Sequence, residues 1–447
     1  MTAASITATT ASTAFSGALS TAADAQAAAA EVCQSAMAAL SGPADLGMLF
    51  VSPHHLDHVT AVAETVSRCS GARALLGCTA EAIVGGDKEV EHQPAVSLWL
   101  ARLPSVRLTP MHLRYERTPE GGTIVGWPED LPATWPRDST LLVLGEPFSF
   151  PCDLLLHRLN EDQPGVPVIG GMASAAHQPG VNRLILGNEV HSEGAVAVLI
   201  DGPVRIHAVV SQGCRPIGRP MIVTKADRHL IETLGGRPAL AQLQELFASL
   251  SPAEQRSVQS GLHLGIVTNE YQERFGRGDF LVRNVIGADG DTGAIAVGDY
   301  VRVGQTVQFH IRDAKTADED LRELLAGLRT GAQSGRREDK AAESKGPGAT
   351  EESPGGRIDH ASHLAAAALL FTCNGRGTRL FPEPHHDATA LREALGSIPV
   401  AGFFAAGEIG PVAGKNYVHG FTASVAIFSP GQESGGRGRE SVKPARS

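Results

Sequence analysis

The chain repeats one pattern three times, and that repetition limits the folds open to it. Each copy has an apolar strand-like run, a helix-length stretch, and a second apolar run that ends in glycine and small residues. The first copy runs from LGMLFVSP at Leu46 through AVAETVSRC to ALLGCTAEA, ending at Ala82. The second runs from STLLVLGEP to VPVIGGMASAA, ending at Ala176, and the third from AALLFTCNGRG to VAGFFAAGEIG, ending at Gly410. A further apolar run follows each copy: AVSLWLARL, EGAVAVLI and FTASVAIF. Short apolar runs separated by helix-length stretches predict β-α-β units, each with an extra strand. The expected class is α/β (mixed α+β), with repeated β-α-β-β units in two packed lobes and mixed sheets covered by helices. Glycine at a strand end lets a ligand or another chain approach the backbone closely. Three such ends point to a built site for a small molecule.

Composition removes several classes of function. A chain of 447 residues is long enough for two or more domains with sizeable cores. A net charge of −10 and a pI near 5.9 argue against a nucleic-acid binder, which needs a basic patch to neutralise phosphates. No window approaches the roughly 18 apolar residues of a membrane span. The first 40 residues lack the basic start and long apolar stretch of a secretory signal. The cytoplasm is the expected compartment. Six scattered cysteines without a CxxC pair are expected to be free thiols. Neither a phosphate-binding GxxxxGK[ST] loop nor a dinucleotide GxGxxG after a strand occurs, so no cofactor is expected.

Along the chain, residues 1–42 form an alanine-rich leading segment, with a helix capped by Ser20 or Thr21 and stopped at SGP. Residues 43–208 make the first lobe, closed by a hairpin through the DGP turn of AVAVLIDGPVRIHAVV. Residues 209–428 make the second lobe. It has a helix at ALAQLQELFASL, a strand meander, and a helix at TADEDLRELLAGL capped by Thr316 or Asp318. The stretch 327–356 has almost no apolar residue to offset the entropy of ordering, so it is expected to be a disordered insert, as is the tail 429–447.

LLGCTAEAIVGG, SQGCRPIGRPMIVTKADRHLIETLGGRPAL, DFLVRNVIG, LLFTCNGRG and GFFAAGEIGP, in this order, resemble the motifs of FIST proteins, which pair an amino-terminal with a carboxy-terminal FIST domain. The resemblance extends from about Pro43 to Phe428. It implies a cytoplasmic sensory module of signal transduction that binds small ligands such as amino acids. It also implies a separate signalling protein as partner, because no F-box or output domain is evident in this sequence.

The site itself is read from chemistry. In the third repeat Cys373, Asn374, Gly375 and Arg376 follow the first strand, and Gly407 and Glu408 follow the second. If those strands run parallel, both loops emerge at one carboxyl edge, where ligands bind in open α/β sheets. A guanidinium suits a carboxylate and a carboxylate suits an ammonium, so together they suit a zwitterion. The alternative is an Arg376–Glu408 salt bridge that staples the two loops. Equivalent places hold Cys78, Thr79 and Glu81 in the first repeat, and Gly170 and Gly171 in the second. There, small residues could equally serve only to let a helix pack close to the sheet.

Two histidine clusters suggest metal and fall short of the three or four convergent ligands zinc requires. His54 and His58 in SPHHLDH, and His385, His386 and Asp387 in PEPHHD, read as solvated residues in first helical turns, so no metal is expected. Three functions remain. A ligand-binding sensor without turnover leads, with no catalytic residue assigned. A thiol enzyme using Cys373 or Cys78 with His419 as base is the second, and a protein-interaction scaffold the third.

Overall fold

A computed structural model describes residues 12–119, 121–272, 274–276, 278–329 and 365–431. Most of the expected insert (330–356) and nearly all of the tail (432–447) lie outside the described residues.

The first repeat comprises β1 (Ala14–Ser20), α1 (Ala25–Leu40), β2 (Leu46–Val51), a 3-10 turn (Pro53–His58), α2 (Val59–Ser70), β3 (Ala74–Thr79), β4 (Ala82–Gly85), β5 (Lys88–Glu91) and β6 (Val96–Arg102). The second has β7 (Arg107–Glu116), β8 (Thr123–Val125), β9 (Thr140–Gly145), α3 (Cys152–Asp162), β10 (Val168–Met172), β11 (Leu184–Leu186), β12 (Glu189–His191) and β13 (Ala195–Asp201). The third opens with β14 (Val204–Gln212). A long insertion then supplies β15 (Cys214–Asp227), β16 (Leu230–Leu234), β17 (Arg237–Pro238), α4 (Ala239–Ser249), α5 (Pro252–Ser260), β18 (Leu262–Val267), β19 (Phe280–Ala288), β20 (Ile295–Val297) and β21 (Thr306–Arg312). After α6 (Ala314–Arg329) the repeat resumes with β22 (Ala367–Cys373), α7 (His386–Leu395), β23 (Val400–Ala405), β24 (Glu408–Val412), β25 (Lys415–His419) and β26 (Thr422–Pro430).

The expected α/β class holds, and so do the three parallel units. β2 pairs with β3, β9 with β10 and β22 with β23, all parallel, across α2, α3 and α7. The extra strands β6, β13 and β26 each lie antiparallel to the first strand of their own unit. A hairpin follows each second strand, and it joins the sheet of a different repeat. β4–β5 of the first repeat extends β23 of the third, β24–β25 of the third extends β10 of the second, and β11–β12 of the second extends β3 of the first. The exchange is cyclic. The two expected lobes are thereby interlocked, each supplying strands to the other. In the insertion, strands β15, β21, β18, β19, β20 and β16 form a ring closed by the β15–β16 pairing.

Continuous apolar runs are explained by burial on both faces of each sheet. Inward-facing Met48, Phe50, Leu142, Leu144, Ile169, Leu369, Phe371 and Phe403 from all three sheets share one core. Outward-facing Leu49 and Val51 meet α1 and α2, Val143 and Val168 meet α3, and Leu370 and Val400 meet α6 and α7. At matching points of the second strands stand Gly77, Gly170 and Gly402, opposite Leu49, Val143 and Leu370. A Cβ there would lie 2.1, 1.8 and 1.8 Å from the partner's carbonyl oxygen, so only glycine allows this approach.

Several local expectations are corrected. Residues 14–20 are a strand, and α1 starts at Ala25 with Asp24 as its cap, whose carboxylate accepts from Ala27 N; neither Ser20 nor Thr21 is the cap. The DGP turn does not make a hairpin. β13 already has β7 and β9 on its two edges, so the chain crosses at Gly202 into another sheet, where β14 pairs with β26. α6 is capped one turn earlier than expected, by Asp313, which accepts from Thr316 N and Oγ1. Cys33 and Cys69 are not free: a disulfide joins them and links α1 to α2, leaving Cys78, Cys152, Cys214 and Cys373 as thiols. Disulfides persist in oxidising compartments, so cysteine usage no longer argues for the cytoplasm.

Two outcomes follow from this architecture. Gly402→Ala forces a methyl group into the Leu370 carbonyl and should cost about 3 kcal/mol or more in a denaturant titration. Gly287→Ala, with open space around the new methyl, should stay within about 0.5 kcal/mol. Replacing Cys33 and Cys69 together by serine should remove about 3–4 kcal/mol, the range for a disulfide closing a loop of this length. A reductant should lower the melting temperature of the wild type and leave the double variant unchanged.

Candidate functional site

The parallel pairing of β22 with β23 sets Cys373 beside Ala405, so both loops do emerge at one carboxyl edge. There the third repeat faces the strand ring of the insertion across a cavity of about 410 Å³. Cys373, Ala406 and Glu408 line one side, with the turn from Val418 to Phe421. Val282 to Asn284 and Ile286 of β19, and Asp299 beyond β20, line the other, and Asp153 at the start of α3 reaches the rim.

Arg376 and Glu408 do not meet. Arg376 is fully buried, and its Nε and Nη2 donate to Asp387 Oδ2 and Oδ1, each at 2.7 Å. The pair is bidentate, which fixes the planar guanidinium against the carboxylate. Thr372 Oγ1 donates to Asp387 at 2.6 Å, His386 Nδ1 lies 2.9 Å from Asp387 Oδ1, and the guanidinium lies over Phe381. Burial alone would raise the Asp387 carboxyl and weaken the arginine's charge. Each one's charge overrides that for the other, so Asp387 is held well below its usual range and Arg376 above its own. The solvated reading of Asp387 is therefore corrected: it is buried, because the first turn of α7 points into the protein. His386, between Asp318 and Asp387, is mostly buried too, whereas His54 and His58 are exposed as expected. Among the described residues no cluster of three or more metal-binding side chains exists.

Glu408 has a different environment. Its Oε2 accepts from Thr422 N at 3.0 Å and Thr422 Oγ1 at 2.8 Å, and its Oε1 is buried without a partner among the described residues. Burial pushes its carboxyl up to about 8, against the pull of Thr422, Arg312 and Arg376. Four more unpartnered buried atoms belong to residues outside the cavity lining: Asn374 Oδ1, Arg376 Nη1, and Arg312 Nε and Nη2. Arg312, the last residue of β21, lies over the Phe421 ring at 5.2 Å. It fits there because Gly375 has no side chain; a Cβ would lie 2.6 Å from Arg312 Nη1. Buried polar atoms are nearly always hydrogen-bonded, so these five are exceptions to a strong rule.

The remaining expected residues sit elsewhere. Gly407, just outside the cavity lining, accepts through its carbonyl oxygen from Met172 N at 2.8 Å. Gly171 is paired with Glu408 and Gly170 with Ile409, both inside a sheet. Thr79 exchanges hydrogen bonds with Arg183, and Cys78 is buried in β3. Glu81 is bonded through both carboxylate oxygens to Arg379, and its amide donates to Ser174 Oγ. Thus the three glycine-rich ends meet one another, and only the third opens on the cavity. Burial holds the Cys78 thiol well above its usual range, and pushes Cys373 up to about 11 with the Glu408 charge adding to it. His419 is pushed down to about 4 by burial, and its Nε2 is engaged with Gly410 O at 2.9 Å. Neither thiol resembles an activated nucleophile, which is a thiolate near neutral pH.

Sequence comparison identifies the family. The FIST N domain matches residues 45–237 and the FIST C domain residues 239–411. An uncharacterised protein of Mycobacterium tuberculosis (strain ATCC 25618 / H37Rv) is 44% identical over 412 residues, 92% of this chain and 98% of the relative. An uncharacterised protein of Mycobacterium bovis is 44% identical over 406 residues, 91% of this chain and 96% of the relative. The chain belongs to the FIST family. FIST domains are sensory domains of signal transduction, and that is the general kind of protein this chain is.

Glu408 carries a pH signature. In the folded chain it keeps its proton to about 8, whereas an ordinary glutamate loses it near 4.5. The folded state therefore binds the extra proton in that window, and this stabilisation, full below it, is lost as pH rises through it. Glu408→Gln removes the titration. From about pH 5 to about pH 8 the wild type should lose stability relative to the variant by roughly 1.4 kcal/mol per unit at most. His263, His310 and His419, pushed by burial to about 4, titrate in both proteins and cancel in the comparison. Urea titrations across the range measure the difference, and parallel curves would refute the raised carboxyl.

Proposed function

We propose that the protein senses a small ligand of the amino-acid type, bound in the cavity between the third repeat and the inserted ring and released without turnover. The observation that carries this reading is the cluster of unpartnered buried polar atoms of opposite kinds. Of these, Glu408 lines the cavity and its Oε1 suits an ammonium, while Asn374 Oδ1 and the guanidinium N–H groups of Arg312 and Arg376, which suit an ammonium and a carboxylate, belong to residues outside the lining. The volume falls in the range of small-molecule sites, and Val282, Ile286, Val418 and Phe421 offer apolar wall for a side chain. Inert thiols favour binding over covalent chemistry. The protein acts in the cytoplasm on this reading, as its family resemblance implies, and passes its signal to a separate signalling protein.

Calorimetry with the twenty common amino acids tests the site. One or a few should bind, and Glu408→Gln should weaken them by about 1–3 kcal/mol through loss of the ammonium partner. Because Glu408 is protonated when the cavity is empty, binding an ammonium near neutral pH should release a proton, read as a heat that depends on the buffer. Failure of every amino acid to bind, or steady consumption of a bound one, would remove the proposal. Fractionation tests the compartment: recovery outside the cytoplasm with Cys33 and Cys69 oxidised would contradict it.

A further inference from the structure

Four acidic or basic side chains line the cavity, Asp153, Arg283, Asp299 and Glu408, beside a His419 that burial keeps neutral. Arg283 is engaged within the wall: its Nε donates to Asp299 Oδ2 at 2.7 Å and its Nη1 to Val418 O at 2.9 Å. Asp299 is engaged with it, and its Oδ1 also accepts from Tyr300 N at 2.7 Å. One cation and one carboxylate therefore cancel, and two carboxyl groups are left over. Glu408 is fully buried, and its Oε1 has no partner among the described residues. Asp153, in the first turn of α3, is exposed at the rim. Among the described residues its carboxylate makes no hydrogen bond or ion pair, and it lies within electrostatic reach of Arg283 and Asp299 on the opposite wall. The helix dipole favours a first-turn acid wherever its side chain points. This one stands over a cavity whose lining holds no unengaged cation for it.

We infer that Asp153 reads a second cationic group on the ligand, so that the ligand is an aliphatic chain with an ammonium at each end, as in a diamine or a basic amino acid. The inference rests on the ligand-binding reading of the cavity and narrows it, because that reading places only one ammonium, at Glu408. Val282, Ile286, Val418 and Phe421 belong to the same lining and suit the methylene stem between the two charges. Glu408 is buried and Asp153 exposed, so the two ends are not equivalent. At the rim a carboxylate–ammonium pair is screened by water and salt, which makes Asp153 a determinant of selectivity more than of overall affinity.

The test uses two pairs of probes that differ only in the second amino group: lysine against norleucine, and cadaverine against pentylamine. Each is titrated against the full chain by calorimetry at neutral pH and low ionic strength. In each pair the doubly cationic member should bind more tightly by about two- to fivefold, the range for an ion pair exposed to solvent. Asp153→Asn should remove that advantage and leave norleucine and pentylamine unchanged, a pattern that a purely structural role in capping α3 would not produce. Asp153→Glu, which keeps the charge, should retain part of it. An advantage that is absent from both pairs, or that survives in Asp153→Asn, overturns the inference, as does failure of all four probes to bind. If cadaverine shows the advantage and no amino acid binds, the inference stands and the amino-acid reading falls. If norleucine and lysine bind alike to wild type and to Asp153→Asn, and cadaverine no better than pentylamine, the inference falls and the amino-acid reading stands.

Discussion

None of the three repeat sheets is completed by its own repeat. Each second strand, β3, β10 or β23, has its own first strand on one side and a borrowed hairpin on the other. Without the exchange, three central strands would present open hydrogen-bonding edges in the middle of the molecule, a costly arrangement for buried backbone. The glycines at 77, 170 and 402 belong to the same constraint, since they let each second strand lie close against the first. The candidate site depends on it too. Glu408 stands where it does because β24 is laid along β10, with Glu408 opposite Gly171.

The borrowed hairpin of the first repeat also organises the loops of the third. Asp87 pairs with Arg392, Glu89 accepts from Ala388 N at the start of α7, and Glu91 accepts from Thr378. Glu81 holds Arg379. Alternating acidic residues along one edge thus bind down the segment that carries Arg376 and Asp387. Glu89, buried beside Asp387, is pushed by burial up to about 8, so it caps the helix without adding a second full charge to the pair. The second and third repeats differ at the loop after the first strand. In the second repeat the residue after the first strand, Glu146, is fully buried and its oxygens accept from Phe148, Ser149 and Asn182. The matching loop of the third repeat leaves Asn374 Oδ1 unused.

Much of the fold was legible because it rests on local pattern. Runs such as TLLVLG and AALLFTC are apolar throughout because both faces of each sheet are covered, and their spacing by helices led directly to three parallel units. Hairpin exchange left no such trace, since β4 is followed at once by β5 and nothing in AIVGGDKEVE says that its partner is VAGFFA. The disulfide was hidden for a similar reason: Cys33 and Cys69 lie on two helices whose packing is tertiary. α5 was missed despite a readable signal, Ser251 followed three residues later by Glu254, which form a capping box. At the site, the carboxyl edge was found and the pairing was not. Arg376 chose the nearer Asp387, whose HHD setting reads as solvent-facing. Arg312 gave no signal at all, being one alternate position in the strand TVQFHIR.

The order in which the repeats are made sets a problem for the chain on the ribosome. The first hairpin ends at Glu91 and the strand it must join begins at Val400. Between them lie roughly 300 residues, or tens of seconds of synthesis at about 5–20 residues per second. Through that interval the hairpin has no sheet to extend. The first repeat fares better, because β11 and β12 from the second repeat arrive early to cover β3. The last repeat to emerge is the only one whose hairpin and borrowed strands already exist, so the ring of exchanges closes from its carboxy-terminal end. Assembly of the candidate cavity is consequently among the final events of folding, and a nascent chain stalled before Val400 has no such site.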